Sequence, residues 1–110
     1  MKRKVSFEEE LYKRESINNL IIFSIYSLTK NGKDCTFENL VKRCFSLFPR
    51  TFSFSQFSKW PDARKLDRPL RTLRNKKLIT GDPKTSFSLT QRGRQIALEI
   101  AKNFTQRKLL

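Results

Sequence analysis

The chain has 110 residues, enough for one domain with a modest core, and its 37% hydrophobic residues exceed what a disordered chain contains. The 24 lysines and arginines outnumber the 10 acidic residues, and the formal net charge of +14 favours a polyanionic partner, nucleic acid before an anionic membrane. The apolar run from Leu20 to Leu28 is too short to cross a bilayer, and two cysteines without histidine do not make a usual zinc site. We therefore expect a cytoplasmic, nucleoid-associated protein with no membrane partner, no metal and no other cofactor.

A single domain is expected over residues 16–106, between a charged amino-terminal extension, residues 1–15, and a frayed tail, residues 107–110. Within the extension, Ser6 and Glu9 have the spacing of a capping box, in which each side chain bonds the backbone amide of the other residue. This spacing predicts that a helix begins in the extension, either as a separate short helix or as the first turns of a longer one.

Two helices open the domain. Ser16 is a suitable N-cap for a helix over residues 17–30, which has apolar side chains on more than one side. A helix of this kind is either deeply buried or packed against a second chain. Thr36 is a suitable N-cap for the second helix, whose apolar positions recur every three or four residues up to Phe48 and which Pro49 ends.

Residues 50–61 are rich in serine and aromatic residues without helical periodicity, and we expect a loop there. The aromatic side chains of this loop are Phe52, Phe54, Phe57 and Trp60. Two interpretations stay open for them. The rings cover the core between the second and third helices, or, interleaved with Arg50 and Lys59, they stack on unpaired bases.

A third helix is predicted from Pro61 to about Lys76. The leucines on its buried edge are Leu66, Leu70 and Leu73. A proline in the middle of a helix lacks an amide hydrogen and crowds the preceding turn. The helix therefore either kinks at Pro69, or its regular part begins at Asp67 and the proline lies in the first turn.

The carboxyl-terminal third of the chain contains a predicted hairpin and a final helix. Residues 78–80 and 86–89 are short strand candidates, and turn-forming residues at 81–84 separate them. Thr90 is a suitable N-cap for the last helix, whose apolar face extends to Phe104.

Two stretches resemble winged helix-turn-helix DNA-binding domains. The run Leu73-Arg74-Asn75-Lys76-Lys77-Leu78-Ile79 is similar to the end of the recognition helix and the first wing strand of that family. The run Phe87-Ser88-Leu89-Thr90-Gln91-Arg92-Gly93-Arg94 is similar to its second wing strand and following helix. The resemblance covers roughly residues 17–104 and implies a mostly α fold of α+β class, ordered α-α-α-β-β-α, with a small β-hairpin wing; the additional amino-terminal helix is expected from the Ser6 and Glu9 spacing alone. The segment between the second and third helices is longer than in that family, which leaves the docking angle of the third helix open.

On a helical wheel, the third helix has a cationic and hydrogen-bonding surface away from its leucines. The candidate DNA-binding residues on it are Arg64, Lys65, Arg68, Arg71, Thr72, Asn75 and Lys76. In the major groove, arginine recognises guanine and asparagine recognises adenine through paired hydrogen bonds, whereas lysine and threonine reach phosphates.

The wing and the helix after it supply the remaining candidates. These are Lys84, Thr85, Ser86, Arg92 and Arg94. By resemblance, the wing residues lie along the DNA backbone or a minor groove. The two arginines begin the last helix, where the amino end of a helix favours a phosphate.

We expect a sequence-specific or semi-specific double-stranded DNA-binding protein, most simply a transcriptional regulator, and not an enzyme, because no arrangement for acid–base or nucleophilic catalysis is evident. A homodimer through the first and last helices is one expectation for its assembly, and no small-molecule ligand is expected. The alternatives are a structural adaptor module of a larger nucleoprotein complex and an RNA-binding protein. Side chains enter the deep, narrow major groove of A-form RNA poorly, which favours DNA.

Overall fold

Helices make up most of the computed structural model, which describes residues 7, 9–57 and 59–109, with side chains up to residue 106. The helices are α1 (Glu9–Tyr12), α2 (Ile17–Lys30), α3 (Phe37–Leu47), α4 (Pro49–Phe52), α5 (Asp67–Asn75) and α6 (Gln91–Leu109), and a 3-10 helix covers Ala63–Leu66. Strands β1 (Ile79–Thr80) and β2 (Ser88–Leu89) form an antiparallel hairpin. The prediction of a mostly helical α+β fold with a small hairpin is confirmed, and the winged-helix class stays a prediction.

The sequence predicts a helix near the amino end of the chain and fraying at its carboxyl end. The helix predicted before the domain is present as α1, whereas Ser6, the proposed partner in its capping box, lies outside the described residues. The helical backbone of α6 extends to Leu109. The fraying of residues 107–110 stays a prediction.

Helix α2 is the central element of the core, because it contacts α3, α5, α6 and β2. The Ser16 hydroxyl accepts a hydrogen bond from the Asn19 amide at 3.2 Å, so the predicted N-cap is confirmed. Ile21, Ile22 and Ile25 are almost completely buried. Of the two interpretations of this apolar helix, deep burial within its own chain is the one observed.

Aromatic rings from four separate parts of the chain form one buried group. We name this group, Phe7, Tyr12, Phe23, Phe48 and Phe104, the aromatic cluster. The ring centroid of Phe7 lies 4.9 Å from that of Phe104 and 5.5 Å from that of Phe48. Tyr12 packs edge-on to Phe48 at 5.0 Å, and its hydroxyl accepts a hydrogen bond from the Arg50 amide at 3.1 Å. Such ring pairs contribute about 0.5–1.5 kcal/mol each beyond their burial, so part of the charged extension stabilises the core.

The prediction of a loop over residues 50–61 is wrong at its start, where α4 forms one helical turn. Pro49 both ends α3 and begins α4, because its fixed φ suits the first position of a helix. Phe52 is buried against Phe48, with ring centroids 6.5 Å apart, and this contact stabilises the turn. Beyond it, an isolated antiparallel bridge joins Ser53 to Pro61.

The predicted third helix is divided into a 3-10 helix and α5. The Asp62 carboxylate accepts a hydrogen bond from the Arg64 amide at 3.1 Å and caps the 3-10 helix. Helix α5 then begins at Asp67 and has Pro69 in its first turn, where the missing amide hydrogen breaks no helical hydrogen bond. The buried edge predicted for this segment is confirmed for all three residues, Leu66, Leu70 and Leu73.

The hairpin is shorter than predicted, with Ile79 opposite Leu89 and Thr80 opposite Ser88. Residues 78, 86 and 87 lie outside the paired strands. The hydroxyl of Thr90 accepts a hydrogen bond from the Gly93 amide at 3.2 Å, which confirms the predicted cap of α6. A Cβ atom at Gly93 would collide with the carbonyl oxygen of Leu78, so glycine permits the close packing of α6 on the hairpin.

Both cysteine side chains are buried, and they form no disulfide bond. Burial raises the pKa of the Cys35 and Cys44 thiols to about 12. At neutral pH both side chains are therefore uncharged thiols with little nucleophilic character, as expected of packing residues.

Candidate nucleic-acid interface

Helix α5 has two chemically different faces. Leu70 and Leu73 hold one face against the core. We name three exposed residues of the other face and the exposed residue directly after the helix the cationic face: Arg68, Arg71, Asn75 and Lys76. Residues 68, 71 and 75 are spaced by three and four positions and therefore share one side of the helix. Among the residues that the structure describes, none offers these four side chains a hydrogen bond or an ion pair.

Arg64 and Lys65, both predicted to contact DNA, lie in the 3-10 helix that precedes α5, where they bond to the preceding segment. Arg64 Nε lies 3.1 Å from Asp62 Oδ1, and the guanidinium lies over the Phe54 ring at 5.3 Å. The hydrogen bond from Arg64 is the main cause that lowers the pKa of the Asp62 carboxyl. Lys65 is half-buried, and its Nζ donates to the carbonyl oxygen of Ser53 at 2.7 Å.

Lys65 Nζ also lies 3.1 Å from the carbonyl oxygen of Thr51, so this ammonium group bridges two backbone positions. A half-buried cation with two such acceptors has a structural role in its own chain. Arg64 keeps an exposed guanidinium, although one edge of it is already engaged. The structure therefore separates these two cations from the unengaged residues of the cationic face.

The carboxyl end of α5 turns the chain sharply into β1. The Leu78 amide donates to the Leu73 carbonyl and the Lys77 amide to the Arg74 carbonyl, both at 3.0 Å, which is the Schellman arrangement. Lys77 has a φ of 59°, the left-handed conformation in which glycine is the usual residue. Thr72, another predicted site residue, is half-buried, in contrast to the four exposed residues of the cationic face.

Arg74 is a functional candidate that the sequence-based site prediction missed. Its Nη1 donates to the carbonyl oxygen of Gly81 at 3.2 Å and thereby joins α5 to the hairpin. The signal for it lay in the run that resembles the family, where an arginine directly precedes Asn75. A helical wheel gives no information about a contact with the hairpin, because that contact is tertiary.

The tip of the hairpin presents the three predicted wing residues, Lys84, Thr85 and Ser86, to solvent. The Asp82 carboxylate accepts hydrogen bonds from the Lys84 amide at 2.8 Å and the Thr85 amide at 3.2 Å. This Asx-type turn fixes the backbone of the tip, while the Lys84 ammonium remains free of any bond to a described residue.

The start of α6 lies against the end of α5. The Thr90 amide donates to the Leu78 carbonyl at 3.1 Å, and the Thr90 hydroxyl lies 2.8 Å from the Lys77 carbonyl. Arg92 and Arg94 are exposed in the first turn of α6. Hydrogen bonds thus join three elements that carry predicted site residues: α5, the hairpin and the start of α6.

The four loop aromatics divide between the two interpretations that the sequence left open. Phe52 is part of the core, and Phe54 is half-buried beneath Arg64. Phe57 and Trp60 are 60% and 63% exposed. The interpretation that the rings cover the core is therefore confirmed for Phe52, whereas Phe57 and Trp60 are exposed and do not cover it.

Over the part of the chain that the structure describes, no helix is long and apolar enough to cross a membrane, and no group of three or more His, Cys, Asp or Glu side chains is arranged to hold a metal ion. Comparison with protein-family models, with curated proteins and with solved structures gave no match.

Proposed function

We propose that this protein binds double-stranded DNA, with α5 in the major groove and the hairpin against the DNA backbone. The observation that supports this most strongly is the cationic face, a set of exposed side chains without partners among the described residues. A charged surface that its own chain leaves uncompensated is suited to a polyanion.

The chemistry of the face matches the edges of bases. Arg68 and Arg71 have the guanidinium groups that pair with guanine O6 and N7, and Asn75 has the amide that pairs with adenine. Lys76 extends the same surface towards a phosphate. Specific recognition is therefore assigned to Arg68, Arg71 and Asn75. Non-specific affinity is assigned to the proposed phosphate contacts, which are Lys76, Lys84, Arg92 and Arg94.

The position of the hairpin supports its assignment to the backbone. The hydrogen bond from Arg74 to the Gly81 carbonyl fixes the hairpin relative to α5, so both elements approach one duplex together. Lys84 then supplies a phosphate contact at the tip, and Arg92 and Arg94 supply further ones at the start of α6.

Transcriptional regulation is the role we propose for this binding, with a structural adaptor as the alternative. A regulator requires sequence preference, whereas an adaptor that holds nucleic acid passively requires only a salt-dependent affinity. For self-association we favour α6, because Leu98 on it is 48% exposed, whereas the isoleucines of α2 are buried in the chain itself.

The experiment is a fluorescence-anisotropy titration of three labelled ligands at two salt concentrations. The ligands are a 30-base-pair DNA duplex of random sequence, an RNA duplex of equal length and a DNA single strand. We expect the DNA duplex to bind most tightly, with an affinity that falls steeply with salt as counterions are released.

Selection of sites from a random duplex pool then separates the two roles. An enriched motif supports the regulator, and sequence-blind binding supports the adaptor. Preference for the RNA duplex, or no binding to any ligand near physiological salt, would contradict the proposal.

A further inference from the structure

Two exposed aromatic rings lie at the end of the segment that precedes the third helix. The centroids of Phe57 and Trp60 are 5.8 Å apart and their planes are inclined by 23°, so the rings are stacked on one another. Together with Gln56 and Lys59, they line an open hollow, and we name these four residues the aromatic tip. Adjacent exposed apolar side chains form a patch of the kind found at ligand-binding and interaction sites.

The backbone of the aromatic tip is held by hydrogen bonds. The Trp60 amide donates to the Phe57 carbonyl at 3.0 Å, which closes a tight turn. The Phe54 amide donates to the Trp60 carbonyl at 3.0 Å, next to the bridge between Ser53 and Pro61. These hydrogen bonds hold the backbone at Phe57 and Trp60, from which the two rings project.

The segment that precedes the aromatic tip contacts the 3-10 helix that leads into α5, the proposed recognition helix. Lys65 Nζ donates a hydrogen bond to the Ser53 carbonyl, which precedes the tip in the chain, and the Arg64 guanidinium lies over the ring of Phe54. These contacts explain why Arg64 and Lys65 are engaged within the chain. They hold residues 51–54, the segment just before the aromatic tip, against the 3-10 helix that precedes α5.

We propose that the aromatic tip binds an unpaired nucleotide next to the duplex held by α5, an inference that rests on the proposed function. The flat faces of Phe57 and Trp60 suit a base, since base–aromatic stacking is the usual contact of single-stranded nucleic acid. Gln56 offers an amide to the edge of the base. Lys59 is exposed and offers an ammonium group to the phosphate.

Charge favours this ligand over a second copy of the chain. Each copy has a formal charge of +14, so pairing two copies at a tip that itself contains Lys59 brings like charges together. A nucleotide supplies both a flat apolar face and a negative charge. The preferred substrate is therefore a duplex with a single-stranded extension rather than a blunt duplex.

Trp60 is the one tryptophan of the sequence, so its fluorescence reports on the tip alone. The experiment compares a 20-base-pair duplex with a thymidine overhang against the same duplex with blunt ends, and measures Trp60 emission and anisotropy together. We expect the overhang to quench Trp60 and to strengthen binding by about 5- to 150-fold, the range for stacking of one base.

The variant Phe57→Ala should lose the preference for the overhang and keep its affinity for the blunt duplex. Because Phe57 is 60% exposed, we expect the thermal midpoint of this variant to stay close to that of the unchanged protein. Ser46→Ala is the control, since it removes an exposed side chain from α3, to which no binding role is assigned, and it should preserve both quenching and preference.

Four other outcomes separate this inference from the function on which it rests. Tight binding of both duplexes without quenching would overturn the nucleotide site and leave duplex binding intact. Equal quenching by both duplexes would overturn it too, because no unpaired base is then needed. Quenching by the overhang with no binding of the blunt duplex would support the tip and contradict groove docking. A DNA-independent change of Trp60 emission with protein concentration, with a doubled mass in sedimentation, would show a second copy on the tip and overturn the proposal.

Discussion

The aromatic cluster and the cationic face differ in where their side chains find partners. Each phenylalanine of the cluster lies within 6.5 Å, centroid to centroid, of at least two other rings. The cationic face has no such internal partners among the residues that the structure describes. Side chains whose partners are internal determine stability, and those left without partners are available to a ligand. Substitutions in the two regions should therefore have separable effects.

The largest effect is expected in the aromatic cluster. Replacing Phe48 with alanine removes the ring that contacts most of the cluster, and we expect a loss of about 3–5 kcal/mol in the free energy of unfolding. Urea denaturation followed by circular dichroism measures it. The milder Phe48→Leu should lose less and keep its affinity for duplex DNA within about twofold. A large loss of affinity in folded Phe48→Leu would mean that the two regions are coupled.

A smaller effect on the free energy of unfolding is expected at Lys77, the residue directly after the cationic face, where glycine should be more stable than alanine. Lys77 has a left-handed backbone, which costs a non-glycine residue about 1 kcal/mol. Lys77→Gly should therefore be more stable than Lys77→Ala by about 0.5–1 kcal/mol, since both variants lose the same charge. If the glycine variant were the less stable of the two in thermal denaturation, the Schellman turn described here would be contradicted.

The smallest effect is expected at the tip of the hairpin. Lys84→Ala should weaken binding by a few fold on every DNA sequence and reduce the salt slope by about 1, because one phosphate contact is lost. Lys102→Ala, an equally exposed lysine on α6, serves as the control and should change neither quantity appreciably. A loss at Lys84 that depends on the DNA sequence would indicate that the hairpin contacts bases.

Local patterns were sufficient to predict most of the elements. Residues with a side-chain oxygen at helix starts, Ser16, Thr36 and Thr90, predicted three N-caps that the structure confirms. The leucine spacing at 66, 70 and 73 predicted the buried edge of the third helix. These features depend on residues a few positions apart, so the sequence alone contains the information.

Features that depend on distant parts of the chain could not be predicted. The engagement of Lys65 with Ser53 requires the preceding segment to fold back over the helix, and periodicity does not encode that. Likewise, the Phe48 ring, on which Phe52 of α4 packs, is surrounded by Phe7, Phe23 and Phe104 from distant parts of the chain. The engagement of Arg64 and Lys65 within the chain was consequently not foreseen, and the DNA-binding role of the candidate residues stays a prediction.

Whether α5 is the DNA-binding element can be decided with two double variants that each remove two positive charges. One is Arg68→Ala with Arg71→Ala, and the other is Lys42→Ala with Lys102→Ala, exposed lysines on α3 and α6. Duplex affinity and thermal midpoint are measured for both. The account predicts an affinity loss at least about tenfold greater for the arginine pair, with nearly unchanged thermal midpoints. Equal losses would mean that affinity follows net charge alone, and would contradict the role assigned to α5.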